Sequence, residues 1–374
     1  ESLKNRKEEL RGRKLFLLIW TTTPWTLPAN VGAAFHPDLE YLFFEGMHNE
    51  VWLCEISRVS HVFSGAPKEL AKARGRELAG FEYSHPFLKS RTGRTICADY
   101  VSNEDGTGIV HIAPGHGEED YQEGYLKNSL PILSPVNEKG QFTNDERTGF
   151  VEVFPSFKNL NVLKGNKVND EIKNILRKNN LLLEPGIITA PYKHSYPHCW
   201  RCKKPIIFRA TTQWFMKIDH KDLRKRMLKE IEKGIQFIPD WGKNRIGAMV
   251  ETRPEWCLSR QRYWGVPIPI IRCKNCTEVH FVKESKAKIL ELFKKEGADA
   301  WFAHPAEDFL PQGLTCPKCH KGEFEKETDI IDVWFDSGVS HQAVLKQYPG
   351  LRYPAELYLE VSDQHRGWFQ IALA

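Results

Sequence analysis

Two stretches of the sequence carry side chains that could bind and hydrolyse a small charged molecule. The first is residues 21–30, which bring three threonine hydroxyls and Trp25 to the end of an apolar run. The second is residues 108–121, in which His111 and Asp120 flank a Gly/Pro turn. A carboxylate fixes an ammonium group by a charge-assisted hydrogen bond, and a histidine binds a hydroxyl or moves a proton near neutral pH. Together these residues predict a small pocket for an amine-bearing substrate.

Each feature also has an ordinary structural explanation. Threonine favours strands, so the threonine run on its own is most simply an exposed strand end. His111 alone is an ordinary turn residue, and Asp120 alone is an acid at a helix start, where the helix dipole favours it. Only the combination with motifs further along the chain favours a functional site.

The spacing of the cysteines predicts a metal site. Six of the nine cysteines form three Cys-x-x-Cys pairs, and in a large chain without a secretory signal that spacing favours metal over disulfides. The second and third pairs together supply four thiolates, which complete a tetrahedral shell and leave no position for water. We therefore expect structural Zn²⁺, against the alternative of unliganded pairs, at Cys273, Cys276, Cys316 and Cys319.

The first pair, Cys199 and Cys202, has no second pair nearby. It either joins a pair outside this chain or uses His194 or His198 as further ligands. The single cysteines are expected in the core as small hydrophobic residues, namely Cys54, Cys97 and Cys257.

Composition sets the broad class of the protein. The chain has 374 residues, 41% hydrophobic and 27% charged, which predicts a soluble globular protein of two or three domains. We expect no membrane partner and a cytosolic location, because no apolar run reaches about 18 residues and the first 14 residues lack an apolar signal region. The net charge of +5 permits contact with nucleic acid without establishing it.

Short strands must position the threonines and His111. Residue types and turns predict a β-rich region with a buried strand at 15–20 and strands at 41–44, 51–54 and 109–112, followed by a helix that begins near Gly115. Further helices are predicted at 170–183, 219–233 and 284–296. The basic face of the helix at 219–233 is either solvated or in contact with RNA. Buried parallel strands are predicted at 330–338 and 357–360.

Six motifs in a fixed order resemble the isoleucyl-tRNA synthetase family of class I aminoacyl-tRNA synthetases. The Thr-Thr-Thr-Pro-Trp-Thr-Leu-Pro form matches the isoleucyl family, whereas the valyl and leucyl relatives carry Arg-Pro after the threonines. The resemblance covers nearly the whole chain. The motifs lie at residues 21–30, 111–120, 196–202, 256–265, 332–338 and 362–369.

The resemblance implies an α/β fold in which a β-rich, barrel-like editing domain is inserted into a Rossmann-type catalytic domain, with a small zinc-binding insertion. The implied divisions are the editing domain at 1–190, a return segment at 191–265, the zinc-knuckle insertion at 266–329 and part of the Rossmann domain at 330–374.

The resemblance also implies roles for individual residues. Asp120 would hold the α-ammonium of a wrongly attached amino acid, and His111 would contact the terminal adenosine or the ester. Because the sequence offers no recognisable Ser/His/Asp or Cys/His constellation for covalent catalysis, we predict that water attacks the ester directly, helped by threonine and tRNA hydroxyls. The editing pocket would be lined by Thr21, Thr22, Thr23 and Asn30, with Trp25 at its mouth and Tyr196 at the domain junction. Isoleucyl-adenylate would be touched by Glu360, Ser362, Asp363 and Gln364, where Val361 replaces the family's glycine.

The predicted function is that of an isoleucine-tRNA ligase fragment that edits valine attached to tRNA(Ile). The chain lacks the His-x-Gly-His and Lys-Met-Ser-Lys-Ser signatures, so we expect an internal fragment whose parent enzyme uses ATP and Mg²⁺. The expected partners are tRNA(Ile) and valine or isoleucine as aminoacyl groups, and the expected state is a monomer. The alternatives are a zinc-ribbon RNA-binding module without activity and a valyl-type editing fragment.

Overall fold

In the computed structural model the chain divides into two units, one from Glu1 to Thr211 and one from Thr212 to Ala374. The structure describes residues 10–63, 65–144, 147–183, 195–280 and 283–374. His194, one of the alternative ligands for the first cysteine pair, lies outside these residues. Within the described ranges, no helix has the length and apolar character needed to span a membrane.

The first unit is built on β-sheets. Its described strands are β1 (Leu15–Leu17), β2 (Gly32–Phe35), β3 (Glu40–Glu45), β4 (Val51–Glu55), β5 (Glu69–Arg74), β6 (Glu82–Ser84), β7 (Thr92–Cys97) and β8 (Ile109–Ile112). They form one sheet in the order β1-β4-β3-β5 and another in the order β6-β7-β2-β8. β1 with β4 and β2 with β7 are parallel neighbours, while β2 with β8 is antiparallel.

A shared core joins the two sheets. Phe35 of β2, Phe43 of β3, Leu53 of β4 and Ile109 of β8 belong to one cluster of buried side chains. Each is at most 1% exposed, and full burial of such a side chain stabilises the fold by about 1.5–3 kcal/mol. Apolar residues on facing strands therefore fix the sheets that carry the site.

Three of the four strands predicted for this region are confirmed, as β3, β4 and β8. The prediction of a buried six-residue strand at 15–20 is wrong in length and burial. Only Leu15–Leu17 pair with β4, and these residues are half-buried. Residues 18–23 form no strand, and a 3₁₀ helix begins at Pro24.

Helices complete the first unit. They are α1 (Val59–Val62), α2 (Glu118–Asp120), which continues as π-helical turns over Tyr121–Lys127, α3 (Phe150–Val153) and α4 (Lys167–Lys178). α4 confirms the helix predicted near 170–183. It buries Val168, Ile172 and Leu176, whose spacing of four residues places them on one face.

The second unit holds short strands and helices. Its described strands are β9 (Phe215–Met216), β10 (Trp256–Cys257), β11 (Ser259–Arg260), β12 (Ile271–Cys273), β13 (Val279–His280), β14 (Phe324–Lys326) and β15 (Ile330–Ile331). The helices are α5 (Leu223–Lys233), α6 (Trp241–Glu251), α7 (Lys283–Glu296), α8 (Ala300–Ala303), α9 (Val333–Gly338) and α10 (Trp368–Ala372).

The predicted helices at 219–233 and 284–296 are confirmed as α5 and α7. Met227 and Ile231 of α5 pack against Ile246 and Val250 of α6 in one buried cluster. The apolar face of α5 is therefore used within the unit.

The prediction of two buried parallel strands near the end of the chain is wrong. Residues 330–338 hold only the two-residue β15, antiparallel to β11, and then helix α9, which Asp332 caps by accepting from Trp334 N–H. Residues 357–360 form no strand, and Leu357 and Leu359 are 69% and 79% exposed. A buried strand needs hydrogen-bonded neighbours, and no described strand pairs with residues 357–360.

Candidate functional site

The threonine-rich segment is a tight turn that leads into a 3₁₀ helix over Pro24–Ala29. Thr23 N–H donates to Thr21 Oγ1 at 3.1 Å, which closes a local turn of the kind that hydroxyl side chains favour. Pro24 occupies the first helical position, where its missing N–H costs nothing. The Oγ1 atoms of Thr21 and Thr23 lie 3.5 Å apart. The three threonines nevertheless do not all line one cavity, because Thr21 borders a different cavity from Thr22 and Thr23.

A hydroxyl links this segment to the second predicted stretch. Thr26 Oγ1 donates to Thr23 O at 2.9 Å and lies 3.1 Å from His111 Nε2. Because the only hydroxyl proton goes to the carbonyl, the histidine Nε2 must carry a proton and donate to Thr26 Oγ1. Thr26 and His111 are both buried, at 6% and 8% exposed. Thr26 was missed among the predicted site residues, although its hydroxyl at the centre of the motif was a usable signal.

A small cavity of about 290 Å³ lies against this segment. Its wall contains two of the predicted threonines, the linking Thr26 and both predicted aromatic residues. The predicted members are Thr22, Thr23, Trp25 and Tyr196, and further lining residues are Thr26, His116, Glu118, Glu119 and Phe208. The exposed carboxylates Glu118 and Glu119 make this rim negative, which suits a cationic ligand group.

Thr21, Asn30 and His111 instead line a wider cleft of about 1600 Å³. Asn30 is buried, and its Nδ2 donates to Gly32 O at 2.8 Å while its Oδ1 accepts from Tyr83 O–H at 2.6 Å. Those bonds hold β2 and β6 together. The structure thus gives Asn30 a bonding role within the sheet, away from Thr22 and Thr23.

Trp25 is placed deeper than the sequence predicted. It was expected at the pocket mouth, but it is 5% exposed and belongs to the core cluster that includes Leu27 and α4. Its backbone N–H donates to Asn169 Oδ1, because the 3₁₀ helix turns this residue towards α4. Trp25 therefore forms the inner wall of the small cavity, while half-buried Tyr196 lies at its edge.

Asp120 is held by two donors. Ala113 N–H donates to Oδ2 at 2.8 Å, and Tyr100 O–H donates to Oδ1 at 3.2 Å. Burial raises the pKa of Tyr100 far above neutrality, and the charge of Asp120 raises it further, so this phenol stays protonated and donates. Tyr100 was missed by sequence reasoning, because nothing in the sequence indicated that residue 100 lies beside residue 120.

The glycines of the second stretch allow close approaches within the chain. A Cβ at Gly115 would lie 1.9 Å from Leu133 O, so only glycine fits there. A Cβ at Gly117 would lie 3.0 Å from Asp120 Cγ, which would crowd the carboxylate. In the structure, Gly115 approaches the chain's own backbone.

The histidines of the site are neutral at pH 7. Burial lowers the pKa of His116 to about 4. Burial also lowers the pKa of His111, although the nearby charge of Asp120 opposes that shift. Both side chains can therefore accept as well as donate hydrogen bonds.

The predicted adenylate-binding residues lie together in the second unit. Glu360, Ser362 and Asp363 are exposed, and Gln364 is half-buried in a 3₁₀ helix over Ser362–His365. Gln364 Oε1 accepts from Trp368 N–H at 3.0 Å. Val361 has φ −77° and ψ 165°, an extended conformation that any residue adopts. The local backbone therefore does not require the family's glycine.

The four predicted zinc ligands converge. The sulfur atoms of Cys273, Cys276, Cys316 and Cys319 all lie within 4.8 Å of one another. The pairs Cys273–Cys319 and Cys276–Cys316 are 3.4 and 3.5 Å apart. Thiolates around Zn²⁺ at about 2.3 Å lie about 3.8 Å apart, so this donor set and spacing fit the metal. Lys318 Nζ also pairs with Glu278 across the two turns at 3.1 Å.

All three Cys-x-x-Cys pairs share one turn. In each, the N–H four residues after the first cysteine donates to that cysteine's carbonyl, at 2.8 Å for Lys203, 2.9 Å for Thr277 and 2.7 Å for His320. These three residues all have φ near +59° (59°, 58° and 58°). Cys199 and Cys202 thus form the same turn as the converging pairs, but within the described residues they belong to no metal-ligand cluster.

Comparison with known proteins gives a consistent result. The family model described as "tRNA synthetases class I (I, L, M and V)" matches residues 13–374. The isoleucine–tRNA ligase of Thermotoga petrophila is 47% identical over 96% of this chain and 38% of its own length. That of Carboxydothermus hydrogenoformans is 48% identical over 96% of this chain and 37% of its own length.

The chain therefore spans 38% or less of these two relatives. Among solved structures, the P. falciparum cytosolic leucyl-tRNA synthetase editing domain matches 48% of this chain and 83% of its own. It is 14% identical with a TM-score of 0.36, a value too low to define the fold.

Proposed function

Since the chain belongs to the class I tRNA synthetases of the isoleucine, leucine, methionine and valine group, we propose that it is the editing part of an isoleucine–tRNA ligase. The relatives named isoleucine–tRNA ligase support this amino-acid specificity. The proposed substrate is tRNA(Ile) that wrongly carries valine, and the products are free valine and the tRNA.

The observation that carries this proposal is the Asp120 carboxylate, which two donors hold in place. Asp120 itself lines neither cavity, but its neighbours Gly117, Glu118 and Glu119 belong to the wall of the small cavity that also contains Thr22 and Thr23. Ala113 N–H and Tyr100 O–H each bind one of its oxygens, which sets the direction of the carboxylate before a substrate arrives. An α-ammonium group is shared by all aminoacyl esters and pairs favourably with such a carboxylate. The wall of the small cavity then decides which amino-acid side chains of the substrate enter.

Size selection follows from the stiffness of the wall. Thr22 and Thr23 are β-branched and narrowly set at χ1, and buried Trp25 closes the inner side. A hydrophobic pocket distinguishes one methylene by only about 1–3 kcal/mol, a general figure whose standard example is isoleucine-specific synthetases and not a value derived from this chain. A second pocket that admits valine and excludes isoleucine adds the missing selectivity.

The proposed reaction is hydrolysis without a covalent intermediate. The oxygen of a water molecule bonds to the ester carbonyl carbon, the bond from that carbon to the ribose oxygen breaks, and the ribose oxygen gains a proton. Asp120 orients the substrate through its ammonium group. His111, whose Nε2 is bound to Thr26, faces the wider cleft and is proposed to contact the terminal adenosine.

The test is deacylation of Val-tRNA(Ile) and Ile-tRNA(Ile) by the 374-residue chain. We expect faster release of valine than of isoleucine. Asp120→Asn keeps the shape and removes the charge, and it should slow release by at least about 100-fold. The matched control is Asp170→Asn, a surface carboxylate on α4 that pairs with Lys173. Equal rates for Asp120→Asn and the parent would reject the assignment.

We further propose that the second unit contributes to the synthetic site of a longer ligase. In that enzyme ATP and Mg²⁺ are substrates, and Glu360, Ser362, Asp363 and Gln364 face isoleucyl-adenylate within a Rossmann-type domain. The four-part division at residues 190, 265 and 329 is proposed on the same basis. Isoleucine-dependent pyrophosphate exchange should be absent from this chain alone and present in the longer enzyme.

Structural Zn²⁺ is proposed at the four converging cysteines, where it would cross-link the turn that follows β12 and the turn that precedes β14. We expect one equivalent of zinc per chain by metal analysis and loss of it in Cys316→Ser. An RNA-binding module without activity would keep the zinc and lack deacylation, which separates that alternative. We also propose a cytosolic monomer, which light scattering and cell fractionation test.

A further inference from the structure

A hairpin of the first unit borders the small cavity with its two arms and holds the first cysteine pair in its turn. The arms are joined by Ile206 N–H, which donates to Pro197 O at 3.1 Å, and by Cys199 N–H, which donates to Lys204 O at 2.8 Å. We call residues 196–209 the basic hairpin. Its members in the cavity wall are Tyr196, Pro197, Ile206, Ile207 and Phe208.

Hydrogen bonds fix the basic hairpin to the segment that leads to Asp120. Ala210 N–H, directly after the hairpin, donates to Gly115 O at 2.8 Å. His116 Nδ1 lies 3.0 Å from Phe208 O, and because a carbonyl only accepts, the ring nitrogen donates. The hairpin therefore has a set position beside the small cavity, and a molecule bound along its arms lies next to that cavity.

The charges of the basic hairpin all have one sign. Residues 196–209 contain Arg201, Lys203, Lys204 and Arg209 and no aspartate or glutamate. The first three are exposed, and none of the four forms an ion pair with another described residue. In contrast, the carboxylates of Glu118 and Glu119 in the same cavity wall repel anions. A phosphate backbone that approaches the cavity is therefore expected along the hairpin.

An exposed aromatic ring lies in the turn of the basic hairpin. Trp200 is 74% exposed, and the guanidinium carbon of Arg201 lies 4.6 Å from the centre of its ring. The cation covers one face, and the other face is open to stacking. A base stacked on an aromatic side chain contributes about 1–3 kcal/mol, whatever the base. Trp200 follows Pro197 by three residues, so it lies within about 10 Å of the cavity wall.

We propose that the basic hairpin binds the single-stranded 3′ end of the tRNA substrate. An unpaired base stacks on the open face of Trp200, and the phosphates lie beside Arg201, Lys203 and Lys204. A strand held in this way runs along the arms, so its last nucleotide, which carries the aminoacyl ester, reaches the small cavity. This inference rests on the proposed editing function and names the surface that delivers the substrate.

The first test measures how tightly the 374-residue chain binds a labelled single-stranded RNA that has the 3′-terminal sequence of the tRNA. By fluorescence anisotropy, Trp200→Ala should raise Kd about tenfold, whereas Trp200→Phe keeps an aromatic face and should retain most of the affinity. In Val-tRNA(Ile) deacylation, Trp200→Ala should raise KM about tenfold and leave kcat little changed, because Trp200 lines neither cavity. The matched control is Trp241→Ala, at another exposed tryptophan beside an arginine, in the second unit.

The second test measures the charge contribution. The double variant Lys203→Gln, Lys204→Gln removes two cations and keeps both cysteines of the turn. It should lower the slope of log Kd against log salt concentration by about 1.4, which is about 0.7 for each phosphate contact of a single strand. The matched control is Lys294→Gln, Lys295→Gln, an adjacent pair of exposed lysines on α7, which should leave the slope unchanged.

A folded Trp200→Ala protein that binds the RNA as tightly as the parent would overturn the inference. A parent chain that binds a blunt RNA duplex of equal length as tightly as the single strand, or that binds neither, would also overturn it. If Trp200→Ala melts far below the parent, the Lys203 and Lys204 variant decides, and an unchanged salt slope then rejects the hairpin. Because binding needs no hydrolysis, a parent that binds the RNA and releases no valine would reject the editing function alone.

Discussion

The site of the first unit and the segment 360–364 of the second unit differ in how their polar groups are held. In the first, Thr26 bonds to His111 and Tyr100 bonds to Asp120, partners that lie 85 and 20 residues apart. In the second, Glu360 and Asp363 are exposed, and the bonds that their side chains accept come from the adjacent residue.

This difference determines how much conformational entropy the side chains of each site lose when a substrate binds. Side chains already fixed by the fold lose little conformational entropy when a substrate arrives, whereas exposed side chains must be ordered at that moment. The first site is therefore prepared for catalysis by its own unit. The comparison predicts that changes at the first site affect stability as well as activity, and that changes at the exposed Glu360 and Asp363 do not affect stability.

The largest difference between the two units is expected in how acid changes their free energies of unfolding. Burial lowers the pKa values of His85 and His116 to about 4, and these histidines protonate near pH 6.5 when the first unit unfolds. The unfolded state therefore binds more protons as the pH falls from 6.5 to 4. Each histidine should lower the free energy of unfolding by about 2 kcal/mol at pH 5 relative to pH 7.

In the second unit, His304 changes stability with pH in the opposite direction. The hydrogen bonds that His304 donates to the carboxylates of Glu296 and then Asp308 raise the pKa of this histidine, so its stabilising contribution is present at low pH and is lost as the pH rises. Hydrogen exchange at pH 7 and pH 5, resolved by peptide and corrected for the intrinsic rate, should show lost protection in residues 10–211 before the second unit. Equal loss in both units would contradict the comparison.

The next largest loss of stability is expected from substitution of Thr26. Thr26→Val keeps the shape of the side chain but leaves His111 Nε2–H without its acceptor and removes the donor to Thr23 O. Each unsatisfied buried group costs about 1–3 kcal/mol, so we expect a loss of about 3 kcal/mol in the free energy of unfolding. Thr22→Val, at a half-buried position, should cost under about 1 kcal/mol in the same urea titration. Equal losses would show that the Thr26 link does not stabilise the unit.

Thr26 also marks the limit of what the sequence predicted. The elements β3, β4, β8, α4 and α5 followed from local patterns of apolar residues, and the cysteine cluster followed from spacing. The Thr26–His111 bond depends instead on the antiparallel register of β2 and β8, which sets Ala33 opposite His111. Register between distant strands is decided by packing, and no local pattern reports it.

The incorrect prediction of strands near the end of the chain has a related cause. A short apolar run fits a buried strand or a buried turn of helix equally well, and only its neighbours decide. At residues 333–338 the side chain of Asp332 caps a helix, while its other oxygen accepts from Trp256 and Arg260. Those partners come from a distant part of the chain, so local pattern alone gave the wrong element.

A smaller effect is expected at Tyr100. Tyr100→Phe removes one of the two donors to Asp120 and keeps the ring, while Ala113 N–H still binds the other oxygen. One hydrogen bond to a charged group contributes about 1.5–3 kcal/mol when buried, and less here because Tyr100 is 37% exposed. We expect kcat/KM for Val-tRNA(Ile) deacylation to fall about fivefold to tenfold. Tyr125→Phe, at another exposed tyrosine of the same unit, should have no effect.

The smallest effect on stability is expected from substitution of Asp363, because this exposed carboxylate is not held by the rest of the fold. The Asp363 side chain is exposed and accepts a hydrogen bond from the side chain of the adjacent Gln364 at 3.3 Å, a bond of the kind that contributes little in water. Asp363→Ala should therefore change the free energy of unfolding by less than about 0.5 kcal/mol in urea titration. A loss above about 1.5 kcal/mol would mean that this segment is held by the fold as tightly as Asp120. The contrast between a prepared site and an exposed one would then fail, because both carboxylates would owe their positions to interactions already made in the free chain.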